Sequence, residues 1–206
     1  SFPQKSFTLF ARKRYGNNTF ASVFSDPDET CPTLILNNSR TLTKTFFFRL
    51  VDDRNTAGQE YRPCQLFLNG EYWGMYYLME KYSAEYLENH YQVPASDILL
   101  IKDSEEIQSG NAEDYTCWQE VLDLFRKDLS DPDNYTALLE KVDIQSLIDW
   151  LCTNIYIANT DTRPLGGNVY TWRSIRPTGE DYNDGKWRWI LYDLDDALAV
   201  GTEYEN

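Results

Sequence analysis

The first residues alternate between apolar and polar. In Lys5-Ser-Phe-Thr-Leu-Phe-Ala-Arg12, Phe7 and Leu9 fall on one face, the two-residue period of a half-buried strand. Thr33-Leu-Ile-Leu36 reads as a short strand before a turn at Asn37-Asn38, and residues 42–52 carry Leu42, Phe46, Phe47 and Leu50 at helical spacing. Two β-rich runs, residues 64–68 and 72–79, flank Asn69-Gly70, the strongest short-range hairpin signal. The second run leads through Glu80-Lys81-Tyr82 to Ser83, which caps a short helix to about Asn89. Ile98-Leu-Leu-Ile101 predicts another strand.

Beyond these the pattern turns helical as far as residue 160. Trp118, Val121, Leu122, Phe125 and Leu129 form one amphipathic face. Asp131-Pro132 supplies an N-cap and a first-turn proline for the next helix. Asp143 opens a third, with Ile144, Leu147, Ile148, Leu151, Ile155 and Ala158 on one face and its end at Asn159-Thr-Asp161. A glycine-bearing loop, residues 162–167, then precedes two strands, residues 168–173 and 186–192, around a polar turn. Asp193-Leu-Asp-Asp196 follows directly. The expected architecture is α+β in two lobes: a strand-rich part over 1–82 and a mainly helical part over 83–206 that contains the acid-tipped hairpin.

Composition narrows the function. The 206 residues suit one large domain or two tightly joined lobes, and 42% hydrophobic residues can build a core. With 33 acidic against 19 basic residues the formal net charge is −14, which argues against nucleic acid as a partner. The densest basic run, Arg12-Lys13-Arg14, is too short to track a phosphate backbone. No apolar run approaches the ~18–20 residues that span a bilayer. The first residues, Ser-Phe-Pro-Gln-Lys, hold no Met and no apolar core of a signal peptide, as in a processed or excised chain. The four cysteines are widely spaced without a Cys-x-x-Cys, so metal binding by thiols is not expected. Cys117 and Cys152 fall in helical patterns and are expected in the core, and one disulfide stays open. The single histidine, His90, excludes a multi-histidine zinc site and is expected on the surface at a helix C-terminus. Proton chemistry therefore falls to carboxylates.

Three polar residues stand where the predicted elements end. Asp161 closes a helix, Asn168 opens a strand, and Asp193 follows the strand paired with it. Asp, Asn and Asp converging on one cleft form a hard oxygen donor set suited to Mg²⁺. Protein kinases use such a set, with one Asp for the acceptor proton and an Asn and a second Asp for metal. The same residue types also favour turns for purely local reasons. No Gly-x-Gly-x-x-Gly and no Walker sequence is present, which disfavours a conventional kinase or P-loop enzyme.

Several segments in this order resemble the spore-coat protein H (CotH) kinase family. They are Gln4-Lys-Ser-Phe-Thr-Leu-Phe-Ala-Arg-Lys-Arg-Tyr-Gly16, the distinctive Tyr61-Arg-Pro-Cys-Gln-Leu-Phe-Leu-Asn-Gly-Glu-Tyr-Trp-Gly74 continuing to Glu80-Lys81, Asn159-Thr-Asp161, Asn168-Val-Tyr-Thr-Trp-Arg173 and Trp187-Arg-Trp-Ile-Leu-Tyr-Asp193-Leu-Asp195. The resemblance covers almost the whole chain. It implies an atypical protein-kinase-like two-lobed fold and ATP-dependent, Mg²⁺- or Mn²⁺-dependent phosphorylation of protein Ser/Thr acceptors. It also implies a spore-coat, cell-surface or secreted setting. By position, Asp161 is the catalytic Asp, and Asn168 and Asp193 are the metal ligands. Lys5, Lys13 and Glu80 are the candidates for contact with the nucleotide. Two departures stand out. The family commonly has Asp-Trp-Pro followed by paired asparagines, whereas Asp161-Thr-Arg-Pro-Leu-Gly-Gly-Asn168 is longer and has Gly167 at the first Asn position. The family domain also continues with further helices after the Asp-x-Asp, so the chain is expected to be truncated in the lower lobe.

Two other functions compete. A non-catalytic relative would use its 6 tryptophans and 15 tyrosines as a protein- or carbohydrate-binding surface, although Tyr72, Trp73, Tyr76 and Tyr77 alternate on a strand and at least half should be core. A carboxylate-pair glycosidase would use Asp161 and Asp193, but leaves the asparagine and the basic residues without a role. The acidity fits a basic acceptor or solubility alone.

Overall fold

The computed structural model describes residues 4–21, 23–24, 30–38, 43–194 and 197–199. Leu42, Asp195 and Asp196 lie outside them. The elements in chain order are β1 (Phe7–Phe10), β2 (Phe20–Ala21), β3 (Thr30–Cys31), β4 (Thr33–Asn37), α1 (Thr43–Leu50), β5 (Tyr61–Leu68), β6 (Glu71–Glu80), α2 (Ala84–Tyr91), β7 (Ile98–Lys102), β8 (Glu106–Ser109), α3 (Thr116–Phe125), α4 (Pro132–Lys141), α5 (Ile144–Tyr156), β9 (Tyr170–Ser174) and β10 (Arg188–Ile190). The fold is mixed α+β.

The first sheet is antiparallel in the order β1-β4-β6-β5. Phe7 and Leu9 share the more buried face of β1, as their alternation predicts. Asn69 (φ 53°) and Gly70 (φ 84°) form the two-residue turn between β5 and β6, with both residues left-handed as a type I′ hairpin requires. The register slips between Leu66 and Phe67, so Trp73 is the extra residue of a bulge and Gly74 (φ 120°) takes the strained position after it. Ser83 caps α2 by accepting from the Tyr86 N–H, and Asp131 and Asp143 cap α4 and α5 in the same way.

The second sheet, β10-β9-β7-β8, explains the unbroken Ile98-Leu-Leu-Ile101 run. Leu99 and Ile101 enter one core with Trp118, Leu138, Leu147, Trp150, Trp187 and Trp189, supplied by α3, α4, α5 and the hairpin. Ile98 and Leu100 enter another with Tyr82, Tyr86, Leu87 and Trp172 against α2. A strand buried on both faces has no polar side to alternate with. The first core also takes Phe47, Phe48, Val51 and Met79 from the N-terminal half.

Several expectations are corrected. The helix α3 stops at Phe125, before Leu129, and β8 adds an unpredicted strand. Helix α5 ends at Tyr156, not at residues 159–161, and buries Ser146, Leu147, Trp150, Thr153 and Asn154, leaving Ile148 and Ile155 exposed. The buried polar groups are satisfied there. Ser146 Oγ accepts from the Trp189 N–H (3.0 Å), and Trp150 Nε1 donates to the Ile190 carbonyl (3.1 Å). Cys64, Cys117 and Cys152 are free thiols, Cys64 and Cys117 half-buried and Cys152 exposed on α5. His90 lies exposed in the last turn of α2, as expected, and its Nε2 reaches back to within 2.7 Å of the buried Glu80 carboxylate.

Candidate active site

The end of α5 sets the site. The Ala158 N–H donates to the Ile155 carbonyl and the Asn159 N–H to the Asn154 carbonyl, with Ala158 left-handed at φ 50°. These are the two bonds of a Schellman cap, made here at a non-glycine residue that pays about 1–2 kcal/mol for that conformation. The helix is thereby stopped, and Asn159 is turned inward while Asp161 emerges into solvent.

The loop after Asp161 folds on itself. The Arg163 N–H donates to the Gly167 carbonyl (3.0 Å), and Thr162 Oγ1 donates to the Asn168 carbonyl (2.8 Å). Trp189 Nε1 pins the loop through the Pro164 carbonyl (2.7 Å). The extra residues are taken up in this turn, and Asn168 returns to Asp161. Its Nδ2 donates to the Asp161 carbonyl (2.9 Å) and to the carboxylate Oδ2 (2.8 Å).

Contacts continue from Asn168 around a closed ring. The next residue, Val169, exchanges bonds with Asp103 just past β7: Asp103 N–H to Val169 O at 2.8 Å, and Val169 N–H to Asp103 Oδ1 at 3.3 Å. Lys102, adjacent to Asp103, has its ammonium 3.6 Å from Asp103 Oδ2 and 5.6 Å from the centroid of the Tyr192 ring. Tyr192 precedes Asp193, whose carbonyl lies 3.5 Å from Asn159 Nδ2, and Asn159 leads back to Asp161. Asp193 itself is left-handed (φ 50°) between the fully buried Leu191 and Leu194. Leu191 is held by the Tyr82 hydroxyl on its carbonyl (2.7 Å) and by its own N–H on Ala57 O (3.1 Å). Tyr170, under the same edge, has its hydroxyl pKa pushed up by burial and then by Tyr192, Glu106 and Asp103.

Asp103, Ser104, Ala158, Asn168 and Asp193, all non-glycine, have positive φ along this one edge. Strain of that kind collects at functional sites. Asn159 is 7% exposed, and its Oδ1 has no hydrogen-bond partner among the described residues. Among the described residues no three Asp, Glu, His or Cys side chains approach closely enough to hold a metal. One or two carboxylates with an amide oxygen is the donor set of a Mg²⁺ ion that keeps waters and shares phosphate oxygens. Asp161, Asn168 and Asp193 supply those residue types along one edge, with no protein cage among the described residues.

The ring contains Asp161, Asn168 and Asp193 and adds three residues whose parts in it spacing did not reveal: Lys102, Asp103 and Asn159. It does not contain the other sequence candidates. Lys5 is exposed before β1, with its carbonyl accepting from the Tyr76 hydroxyl. Lys13 is exposed in a short 3₁₀ turn after β1. Glu80 is buried at the end of β6, where its carboxylate meets His90 Nε2 (2.7 Å) and the Glu60 N–H (2.7 Å). A cavity of about 240 Å³ beside His90, lined also by Asn55, Gly58, Glu60 and Tyr86, shares no residue with the ring. Among the described residues no helix is long and apolar enough to cross a membrane.

No curated protein matches the chain. The CotH kinase protein family matches residues 1–206, every residue of the chain. The order of segments, the turn that returns Asn168 to Asp161 and this full-length match lead to one assignment: the chain belongs to the CotH kinase family.

Proposed function

We propose that the chain is an atypical kinase that transfers the γ-phosphoryl group of ATP to a Ser or Thr hydroxyl of a protein. The observation that carries this reading is the direct Asp161–Asn168 contact within a ring that returns through Asp193. The acceptor oxygen forms its bond to the γ-phosphorus, its proton passes to the Asp161 carboxylate, and the bond to the bridging oxygen breaks to release ADP. Asp161 is exposed, as a group that meets a protein substrate must be. Asn168 and Asp193 would hold Mg²⁺, which when bound neutralises phosphate charge. The chain itself contributes position and fixed dipoles, the main sources of rate in phosphoryl transfer. The two-lobed division at about residue 82 and a spore-coat or extracellular protein acceptor belong to the same proposal, on the strength of the family.

The test is transfer of labelled phosphate from ATP to a Ser/Thr peptide library with Mg²⁺ or Mn²⁺. Wild type should label peptides, and Asp161→Asn should lower kcat by about 10²–10⁴. A wild type that labels nothing contradicts the proposal. That result would favour the binding-module reading, for which one observation speaks. Five of the six tryptophans are buried, but the β5–β6 hairpin exposes Trp73 (37%), Met75 and the paired rings of Phe67 and Tyr72.

A further inference from the structure

A nucleoside triphosphate brings several negative charges to an edge already lined by Asp103, Asp161 and Asp193, in a chain of net charge −14. A cation of the protein has to face it. Lys102 is placed for that task by three elements. It ends β7 opposite Tyr170 of β9 on one side and Glu106 of β8 on the other. Its ammonium stands over the Tyr192 ring, next to Asp193. Neighbouring side chains on a strand point to opposite faces, but Asp103 is left-handed (φ 54°), and its carboxylate therefore comes round to the Lys102 ammonium. That contact, at 3.6 Å, is longer than the ~2.7–2.9 Å of a charge-assisted hydrogen bond. Lys102 is thus held in place without being saturated, and it is partly open to solvent at 27% exposure. Arg163, the basic residue on the Asp161–Asn168 loop, is exposed.

We propose that Lys102 is the phosphate-binding cation of this site, taking non-bridging oxygens of a nucleotide polyphosphate in exchange for Asp103. The proposal rests on the kinase reading and deepens it by naming the group that meets the phosphates.

The test is calorimetric titration of wild type, Lys102→Met, Lys102→Arg and Arg163→Met with ATP, and separately with tripolyphosphate, in Mg²⁺ buffer. Methionine keeps an apolar stem over Tyr192 and removes the charge. Loss of a charge-assisted contact should weaken both ligands about 10–100-fold in Lys102→Met. Lys102→Arg should recover most of that loss, and Arg163→Met should change little. Asp103→Asn keeps the oxygen that accepts from the Val169 N–H and releases Lys102, so it should tighten tripolyphosphate at least about twofold. This variant decides the matter if Lys102→Met does not fold; unchanged or weaker binding then overturns the assignment. Equal binding by folded Lys102→Met and wild type overturns the assignment of Lys102 and leaves the kinase reading standing. A wild type that binds neither ligand overturns both.

Discussion

Arg188 shows what a buried charge needs. It is 6% exposed, yet its Nε donates to Asp143 Oδ2 (3.0 Å) and its terminal nitrogens grip both oxygens of Asp184 (2.9 and 2.8 Å). The guanidinium also lies against the Tyr182 and Trp172 rings. The clamp joins β10 to the N-cap of α5 and to the turn before β10. Burial pushes the Asp184 carboxyl up, but the Arg188 hydrogen bonds and charge, helped by the Lys186 N–H, outweigh it and hold the group below its ordinary value near 3.9. As pH falls the unfolded chain therefore takes up the proton first. The stabilisation is full above about pH 5 and declines as pH falls through the folded value. Urea unfolding between pH 6 and pH 3 should show a shallower acid-side loss of stability for Asp184→Asn than for wild type; equal slopes would mean that the clamp is not coupled to folding. Nothing in the spacing of residues 143, 184 and 188 marks them as partners. The caps at Ser83, Asp131 and Asp143 were legible because capping is settled within three residues.

At the scale of elements, α5 marks the limit of reading by hydrophobic period. The helix carries apolar residues on much of its circumference, and the ridge through Ile148 and Ile155 looks like a core face. The buried face instead includes Ser146, Trp150 and Asn154, because their polar atoms find partners on β10 and along the helix itself. A polar residue can be buried once its hydrogen bonds are made, and that pairing is invisible in one sequence. Two variants separate the faces. Ser146→Ala leaves the Trp189 N–H without its acceptor and should cost about 1–3 kcal/mol in chemical denaturation. Ile155→Ser, at a residue 76% exposed, should stay within about 0.5 kcal/mol of wild type. The reverse order would restore the face expected from spacing. The β5–β6 hairpin needed no such arbitration, since Asn69-Gly70 specifies its turn locally.

Across the whole molecule, the candidate site is where separately folded pieces meet: the Schellman end of α5, the self-bonded loop before β9, the end of β7 and the residues after β10. Asp161, Asn168 and Asp193 stood out in the sequence because they sit at element ends. Lys102 and Asp103 did not, because their places depend on the β7–β9 register, across nearly seventy residues of chain. On the kinase reading this ring, and not the His90 cavity or the exposed β5–β6 hairpin, takes the nucleotide. Hydrogen–deuterium exchange with and without Mg²⁺ and ATP tests it most directly. Residues 99–106, 158–169 and 190–194 should slow together, and Asp193→Asn should abolish the effect. Protection confined to residues 54–61 and 86–91 around the His90 cavity, or to the hairpin at 66–75, would contradict it.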